Sequence, residues 1–220
     1  MYLKDLCLIQ FKNYEEAQLN FSSNINCFVG NNGSGKTNLL DAIYYMCFCK
    51  SYFNSIDTQN INFEKQFFTI EGTFDRKDQE DKVFCGVKRG QKKVFNRNKK
   101  EYEKLSDHIG LFPLVIISPA DRNLIIEGSE TRRKFMDGVI SQSDKIYLQY
   151  IIKYNQVVSQ RNALLKYFAA NSTYDPTTIA VYNEQLIDLG TKIHAKRSEF
   201  MLKFNPVSYT HLTLPTNREV

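Results

Sequence analysis

The sequence has no apolar run that could cross a membrane, which takes about 18 consecutive residues. Its opening residues, Met1-Tyr2-Leu3-Lys4-Asp5, also lack the apolar core of a secretory signal. We therefore expect a cytoplasmic protein with no membrane association. The net charge over 220 residues is only +5, a balance that permits nucleic-acid binding without requiring it.

Cysteine and histidine are scarce and dispersed. The chain has five cysteines and three histidines, namely Cys7, Cys27, Cys47, Cys49, Cys85, His108, His194 and His211. No two cysteines form a C-x-x-C pair, and an odd number without metal-ligand spacing favours reduced, buried thiols. We predict no zinc site, no disulfide and no catalytic constellation from these residues.

The sequence does contain a phosphate-binding loop. Residues 30–37 match the pattern G-x-x-x-x-G-K-[ST] without a mismatch. Glycines bring backbone N–H groups close to phosphate oxygens, Lys36 reaches the β- and γ-phosphates, and the Thr37 hydroxyl is a ligand for Mg²⁺. The predicted nucleotide-binding residues are Gly30, Asn31, Asn32, Gly33, Ser34, Gly35, Lys36, Thr37 and Asn38.

The residues around the loop have the expected character. Residues 25–29 are a short, mostly apolar run and are predicted to form a buried strand. After the loop, apolar residues recur at helical spacing up to about Lys50, which predicts a helix whose N-terminus faces the phosphates. The sequence therefore predicts a site for a nucleoside triphosphate.

The rest of the first half reads as β-structure. The first 21 residues predict a hairpin with its turn at residues 12–15. Further strands are predicted at residues 67–74, 82–88 and 92–97, in an antiparallel meander. The wholly apolar run at residues 113–117 predicts a central strand covered on both faces.

Past Ser129 the pattern becomes helical. Apolar spacing predicts one helix to about residue 168 and a second over residues 177–204, packed antiparallel. Their apolar stripes are interpreted as core-facing, with a partner groove as the alternative. Residues 208–220 have neither helical nor strand periodicity and resemble translated linker sequence, so we expect the native reading frame to be lost near Asn205.

Four segments, in this order along the chain, resemble the RecF family of SMC-like ATPases in bacterial recombinational DNA repair. Residues 9–14 resemble its "nFKNY" strand, and residues 30–38 its G-x-N-G-x-G-K-T-N loop. Residues 118–137 resemble its "SPxD…G…RRxFxD" segment, and residues 154–166 its helical arm. The resemblance covers residues 1 to about 205.

The resemblance implies an α/β fold with a P-loop ATPase lobe of ABC/SMC type, in which a mixed sheet includes an antiparallel meander, plus a helical arm domain. The expected division is residues 1–128 for the N-terminal part of the lobe, 129–205 for the arm of two long helices, and 206–220 for a non-native or disordered tail. The resemblance also implies ATP and Mg²⁺ as cofactors and an ATP-dependent homodimer. It implies binding to double-stranded DNA and to junctions between single-stranded and double-stranded DNA. Recombination mediator proteins are the further partners implied, in loading of the recombinase onto gapped DNA.

The chain departs from the family in two places. The signature segment and the acidic Walker B pair are not found, because Ser118-Pro119 follows the apolar run where an aspartate should hold Mg²⁺ and Asp121 comes too late. We therefore predict ATP binding without turnover. The family also carries an arginine in a Lys-Ser-x-Arg stretch after the loop helix, where this chain has Phe53.

A basic stretch at residues 88–104 is the main candidate for DNA contacts. The residues proposed to contact phosphate are Lys88, Arg89, Lys92, Lys93 and Arg97. Several such contacts would make binding strongly salt-dependent. The alternative is a solvated hairpin whose lysines protect an edge strand, and residues 132–134 form a second basic candidate.

Two other functions are compatible with a phosphate-binding loop alone. A phosphotransferase acting on a small metabolite would need a substrate pocket and a mobile lid, which the meander and the long helices argue against. A non-catalytic DNA clamp would use ATP only as a switch. Dimerisation driven by ATP, together with DNA binding, would favour the ATPase interpretation, and phosphorylation of a small molecule would favour the kinase.

Overall fold

A computed structural model of the chain describes residues 1–76 and 79–212, with side chains described up to residue 207. The chain divides into two compact units, Met1–Ile116 and Ile117–Val220. The first unit is built on a sheet and the second on helices. No helix in the described part of the chain is long and apolar enough to span a membrane.

The first unit contains a six-stranded antiparallel sheet in the order β2-β1-β3-β4-β5-β6. The strands are β1 (Tyr2–Ile9), β2 (Glu16–Asn20), β3 (Phe67–Arg76), β4 (Gln79–Lys88), β5 (Val94–Arg97) and β6 (Lys100–Glu101). The predicted hairpin and the predicted meander are therefore confirmed. Every pairing between these strands is antiparallel, so the described sheet contains none of the parallel pairs that a mixed sheet would have.

Helix α1 (Lys36–Phe48) packs on one face of this sheet. Alternate residues along the strands point to the helix, and the aligned positions Leu8, Ile70 and Cys85 are fully buried. The contact is close because β3 has a glycine there. A Cβ on Gly72 would lie 2.7 Å from the Cε of Met46 on the helix and 2.9 Å from the Asp5 carbonyl oxygen on β1, so a side chain there would crowd both the helix and the neighbouring strand.

Two predicted strands are wrong. Residues 25–29 have no regular structure, and the side chains of Ile25 and Val29 are 89% and 86% exposed. Residues 113–117 also lack strand structure, and Val115 is 83% exposed. The physical reason is the same in both cases, because a strand needs a hydrogen-bonding neighbour and no described strand pairs with either segment.

The second unit contains α2 (Asn123–Ile126), α3 (Ser129–Ser143), α4 (Lys145–Asn171) and α5 (Pro176–Leu212). The single helix predicted to run to about residue 168 is in fact two helices. Asp144 interrupts it with extended backbone angles, and its carboxylate caps α4 by accepting a hydrogen bond of 2.9 Å from the Tyr147 N–H. Apolar spacing did not reveal this break because it continues across the junction.

The predicted end of the last helix also differs. Helix α5 continues through Pro206 to Leu212, although the sequence predicted an end near residue 204. Of the predicted tail, residues 206–212 are therefore helical and residues 213–220 lie outside the described part of the chain.

An ion pair with a buried tyrosine joins three helices of the second unit. The Arg197 guanidinium donates to both carboxylate oxygens of Asp137, at 2.9 and 2.8 Å. The fully buried Tyr147 donates its hydroxyl to the same carboxylate. Burial, then the hydrogen bond to Asp137, raises the pKa of Tyr147, so the phenol stays a neutral donor.

Candidate nucleotide-binding site

The phosphate-binding loop lies at the start of α1. Gly33 and Gly35 have φ angles of +83° and +100°, a backbone region that favours glycine, and Gly35 caps the helix that begins at Lys36. The first N–H groups of such a helix have no partner within the helix and attract anions. The loop therefore combines two features that phosphate-binding loops use, glycines with positive φ and the N-terminus of a helix.

The side chain of Lys36 lies across the loop. Its ammonium donates to the backbone carbonyls of Gly30 and Asn31, at 2.8 and 2.7 Å. These two bonds close the loop around the ammonium at the place where the motif positions it for phosphate. Most of the predicted residues, including Gly33 and Ser34, are exposed to solvent, so a nucleotide has access to the loop.

The turn of the first hairpin contacts the loop. The hydroxyl of Tyr14 donates to the Gly35 carbonyl at 3.2 Å, and Asn13 makes a longer contact of 3.5 Å with the Gly33 carbonyl. The Asn13 side-chain oxygen also accepts a hydrogen bond of 2.7 Å from the Asn38 amide. Sequence reasoning did not predict these contacts with the loop, because contacts across 20 to 25 residues have no local pattern.

A buried carboxylate fixes the middle of α1. Asp41 is fully buried and lies 2.6 Å from the Lys12 ammonium. It accepts further hydrogen bonds from the Ser51 hydroxyl at 2.6 Å and from the Tyr52 N–H at 2.7 Å. The Lys12 ammonium also lies over the Phe53 ring, 5.5 Å from its centre. The helix is thus tied both to the hairpin turn and to the segment that follows it.

Thr37 is the residue through which the loop would hold Mg²⁺. Its side chain is exposed in the first turn of α1, which suits a hydroxyl ligand beside bound phosphates. No group of three histidine, cysteine or acidic residues in the described ranges forms a metal site.

Asp121 is the nearest acidic residue after the apolar run. Its carboxylate accepts a hydrogen bond of 2.7 Å from the Ser118 N–H in a capping box.

The structure separates the five basic residues predicted to contact DNA. Lys88, Arg89 and Lys92 are exposed at the turn between β4 and β5. Lys93 instead lies within the first unit, 2.7 Å from the Asp57 carboxylate and 2.7 Å from the Cys49 carbonyl. Arg97 is paired with Asp81, so both of these cations already have carboxylate partners.

The Asp81 carboxylate is the centre of a second buried polar group. It accepts hydrogen bonds from Arg97 at 2.9 and 3.0 Å and from the Asn98 amide at 2.9 Å. Burial alone raises the pKa of Asp81, but the hydrogen bonds from Asn98 and Arg97 outweigh it, and the net shift is downward.

This shift predicts acid sensitivity of the sheet. The pKa of Asp81 is lower in the folded state than in the unfolded state, so the ionised carboxylate stabilises the fold at pH values above the unfolded pKa of about 3.9. This stabilisation is lost as the pH falls through the pKa of the folded state. We expect the protection of the β4 and β5 amides, measured as the exchange rate relative to that of an unfolded chain at the same pH, to fall in acid, and Asp81→Asn to show less of this pH dependence. Equal pH dependence in the variant and the original chain would contradict the assignment.

A comparison with known protein families identifies the class of protein to which the chain belongs. The described geometry is that of a P-loop nucleotide-binding domain, and a family described as "AAA domain" matches residues 6–205. The chain belongs to this AAA domain family.

Named relatives agree with the resemblance drawn from the motifs. "DNA replication and repair protein RecF" of Flavobacterium johnsoniae is 54% identical over 219 residues, covering 100% of this chain and 61% of that protein. The protein of the same name from Phocaeicola vulgatus is 52% identical over 94% of this chain and 55% of its own length. The resemblance to RecF is confirmed, and the chain spans little more than half the length of these relatives.

Solved structures give the same result. One described as the "recombination mediator protein RecF-ATP in RecFOR pathway" is 31% identical, with a TM-score of 0.86 over 92% of this chain and 54% of that chain. A second, described with "RecF-ATPrS", has a TM-score of 0.85 and 30% identity. The predicted fold class, an ATPase lobe of SMC type with helices, is confirmed.

Proposed function

We propose that this chain is the nucleotide-binding part of a DNA replication and repair ATPase, and that it binds ATP through residues 30–38. The observation that carries the proposal is the glycine loop at the start of α1, with the Lys36 ammonium held across it. The similarity to a RecF structure described with ATP supports the choice of nucleotide. Thr37 would supply the protein's ligand to Mg²⁺ bound with the phosphates.

We propose further that ATP joins two copies of the complete protein and that the dimer binds DNA at junctions between single and double strands. The support is the resemblance to SMC-like ATPases, in which ATP lies between the lobes of two subunits. Interaction with mediator proteins and loading of the recombinase onto gapped DNA belong to the same proposal. We propose a cytoplasmic location, because bacterial DNA is repaired there.

We propose that this chain by itself binds ATP without turning it over. Turnover in P-loop ATPases needs an acidic residue to hold Mg²⁺ and a group that positions the attacking water. In the described residues, the nearest acidic side chain after the apolar run is Asp121, whose carboxylate is occupied in the capping box at Ser118. Steady-state phosphate release at the level of a buffer control is the expected result.

A calorimetric titration tests the central proposal. The chain is titrated with Mg·ATP and, separately, with adenosine, and a gapped DNA duplex is then titrated with and without Mg·ATP. We expect saturable binding of ATP and not of adenosine, because the contacts are to the phosphates. Failure to bind ATP would overturn the proposal, and transfer of phosphate to a small metabolite would favour the kinase alternative.

The exposed cations at the β4–β5 turn are our proposed DNA contacts. Each phosphate contact contributes about 0.9 to the slope of log affinity against log salt concentration. Replacing Lys88, Arg89 and Lys92 together by alanine should reduce that slope by about 3. Lys153→Ala removes one exposed lysine from α4, outside this turn, and as the control should leave the slope unchanged.

Lys93 and Arg97 provide the contrast within the same stretch. Both have buried or half-buried carboxylate partners, so Lys93→Ala and Arg97→Ala should lower the stability of the sheet rather than the salt slope. A loss of slope in these two variants, with no change in the triple variant, would place the DNA surface elsewhere.

A further inference from the structure

We propose that Asn13 and Tyr14 are positioning residues of the nucleotide site, which hold the phosphate-binding loop in its ligand-ready form before the nucleotide arrives. The inference rests on the proposed function, since it assigns a role within the same site. Neither residue belongs to the loop motif, and both lie in the turn between β1 and β2.

The contacts are directed at the loop backbone and at the first turn of α1. Tyr14 donates its hydroxyl to the Gly35 carbonyl at 3.2 Å. Asn13 accepts a hydrogen bond from the Asn38 side chain at 2.7 Å and approaches the Gly33 carbonyl at 3.5 Å. The two neighbouring side chains therefore contact residues that precede and follow Lys36 in the sequence, and Lys36 is the residue that the motif places on the phosphates.

Holding a carbonyl fixes the direction of the next amide. The peptide unit is planar and trans, so its N–H points opposite to its C=O. The Gly35 carbonyl accepts from the Tyr14 hydroxyl and, at 2.9 Å, from the Leu39 N–H. The N–H of Lys36 in the same peptide unit must then point away from the hairpin and helix, as a donor to phosphate requires.

The glycines make this restraint necessary. Gly33 and Gly35 have access to more backbone conformations than other residues, so an unrestrained loop would lose that freedom when it binds. The turn lies so close to the loop that a Cβ on Gly35 would be 2.7 Å from the Asn13 side-chain nitrogen and 3.0 Å from the Tyr14 ring. A loop ordered in advance binds its ligand more tightly, because less entropy is lost on binding.

The turn is itself fixed, as a positioning element must be. The Gln10 N–H donates to the Glu15 carbonyl and the Tyr14 N–H to the Phe11 carbonyl, each at 2.8 Å. Lys12, between these residues, donates its N–H to the Asn60 carbonyl at 2.8 Å and pairs with the buried Asp41. Burial raises the pKa of Tyr14, which keeps its hydroxyl protonated as a donor.

The test compares Asn13→Ala and Tyr14→Phe with the original chain, using ATP and inorganic tripolyphosphate as ligands in calorimetry. Each variant should bind both ligands about fivefold more weakly, the effect of one hydrogen bond of ordinary strength. Gln18→Ala, an exposed change on the same hairpin, is the control and should bind as the original chain does. Unchanged affinity for both ligands would overturn the inference. A loss of affinity for ATP alone would also overturn it, because it would mean that these side chains contact the base or the sugar.

A second measurement, without nucleotide, separates this inference from the proposed function. Hydrogen exchange of the backbone amides at residues 33–38 should be faster in both variants than in the original chain, while exchange in β3 and β4 and the melting temperature stay unchanged. If the original chain binds neither ligand, the proposed function fails and the exchange rates alone decide the role of the turn. Equal exchange in the variants and the original chain would overturn the inference that Asn13 and Tyr14 position the loop.

Discussion

Replacing Lys36 by alanine should lower the affinity of the chain for ATP by about 100-fold while leaving the sheet folded. The ammonium is the cation that the motif places on the β- and γ-phosphates, and a hydrogen bond to a charged group contributes about 1.5–3 kcal/mol. The upper part of that range corresponds to a factor of about 100 in dissociation constant. The variant also loses the two bonds to the Gly30 and Asn31 carbonyls.

The fold should survive because Lys36 is only half-buried and makes these bonds within the loop. Calorimetry with Mg·ATP measures the affinity, and far-UV circular dichroism at increasing temperature measures the fold. Lys36→Arg retains the charge, but its planar guanidinium does not match the loop's site for a compact ammonium, so it should restore little binding. Lys153→Ala, which removes an exposed lysine from α4, should bind ATP unchanged. If Lys36→Ala also bound unchanged, this loop would not be the nucleotide site.

The loop was predictable from sequence because its chemistry is local. Phosphate binding uses consecutive backbone groups and two adjacent side chains, so the pattern at residues 30–37 contains almost the whole of the proposed site. The hairpin and the meander were predictable for a similar reason, since each strand pairs with a neighbour reached through a short turn. The exception is the β1–β3 pairing, which joins strands separated by some 60 residues, such as Leu8 and Ile70.

The errors arise where a prediction needed a partner that the local sequence does not specify. Residues 25–29 and 113–117 have the composition of strands, but composition cannot supply the neighbouring strand. Lys93 and Arg97 looked like other surface cations, yet Lys93 meets the carboxylate of Asp57 from an earlier segment, and Arg97 meets that of Asp81 on the neighbouring strand β4. The hairpin turn itself was predicted, but the contact of Asn13 with the loop was not, because that contact is tertiary.

Asp41 makes such a tertiary contact with Lys12 of the hairpin turn, and replacing Asp41 by alanine should produce the largest loss of stability in the sheet unit. The change leaves the Lys12 ammonium, whose side chain is only 15% exposed, without its carboxylate. It also removes the acceptor of the bonds from Ser51 and from the Tyr52 N–H. Breaking one side of a buried ion pair costs about 3–5 kcal/mol, a large part of the 5–15 kcal/mol that typically separates folded from unfolded protein.

A double variant isolates the cause of that loss. Lys12→Met combined with Asp41→Ala removes the ammonium together with the carboxylate, so it should be more stable than Asp41→Ala alone. Asp188→Ala, which breaks an exposed pair with Lys192 on α5, removes the same charge and should change stability little. Urea unfolding, with hydrogen exchange in β1 and β3 as the local measure, compares the three. If the double variant were no more stable than the single one, the cost would come from the lost bonds to Ser51 and Tyr52, and the ammonium of Lys12 would not be what makes Asp41 necessary.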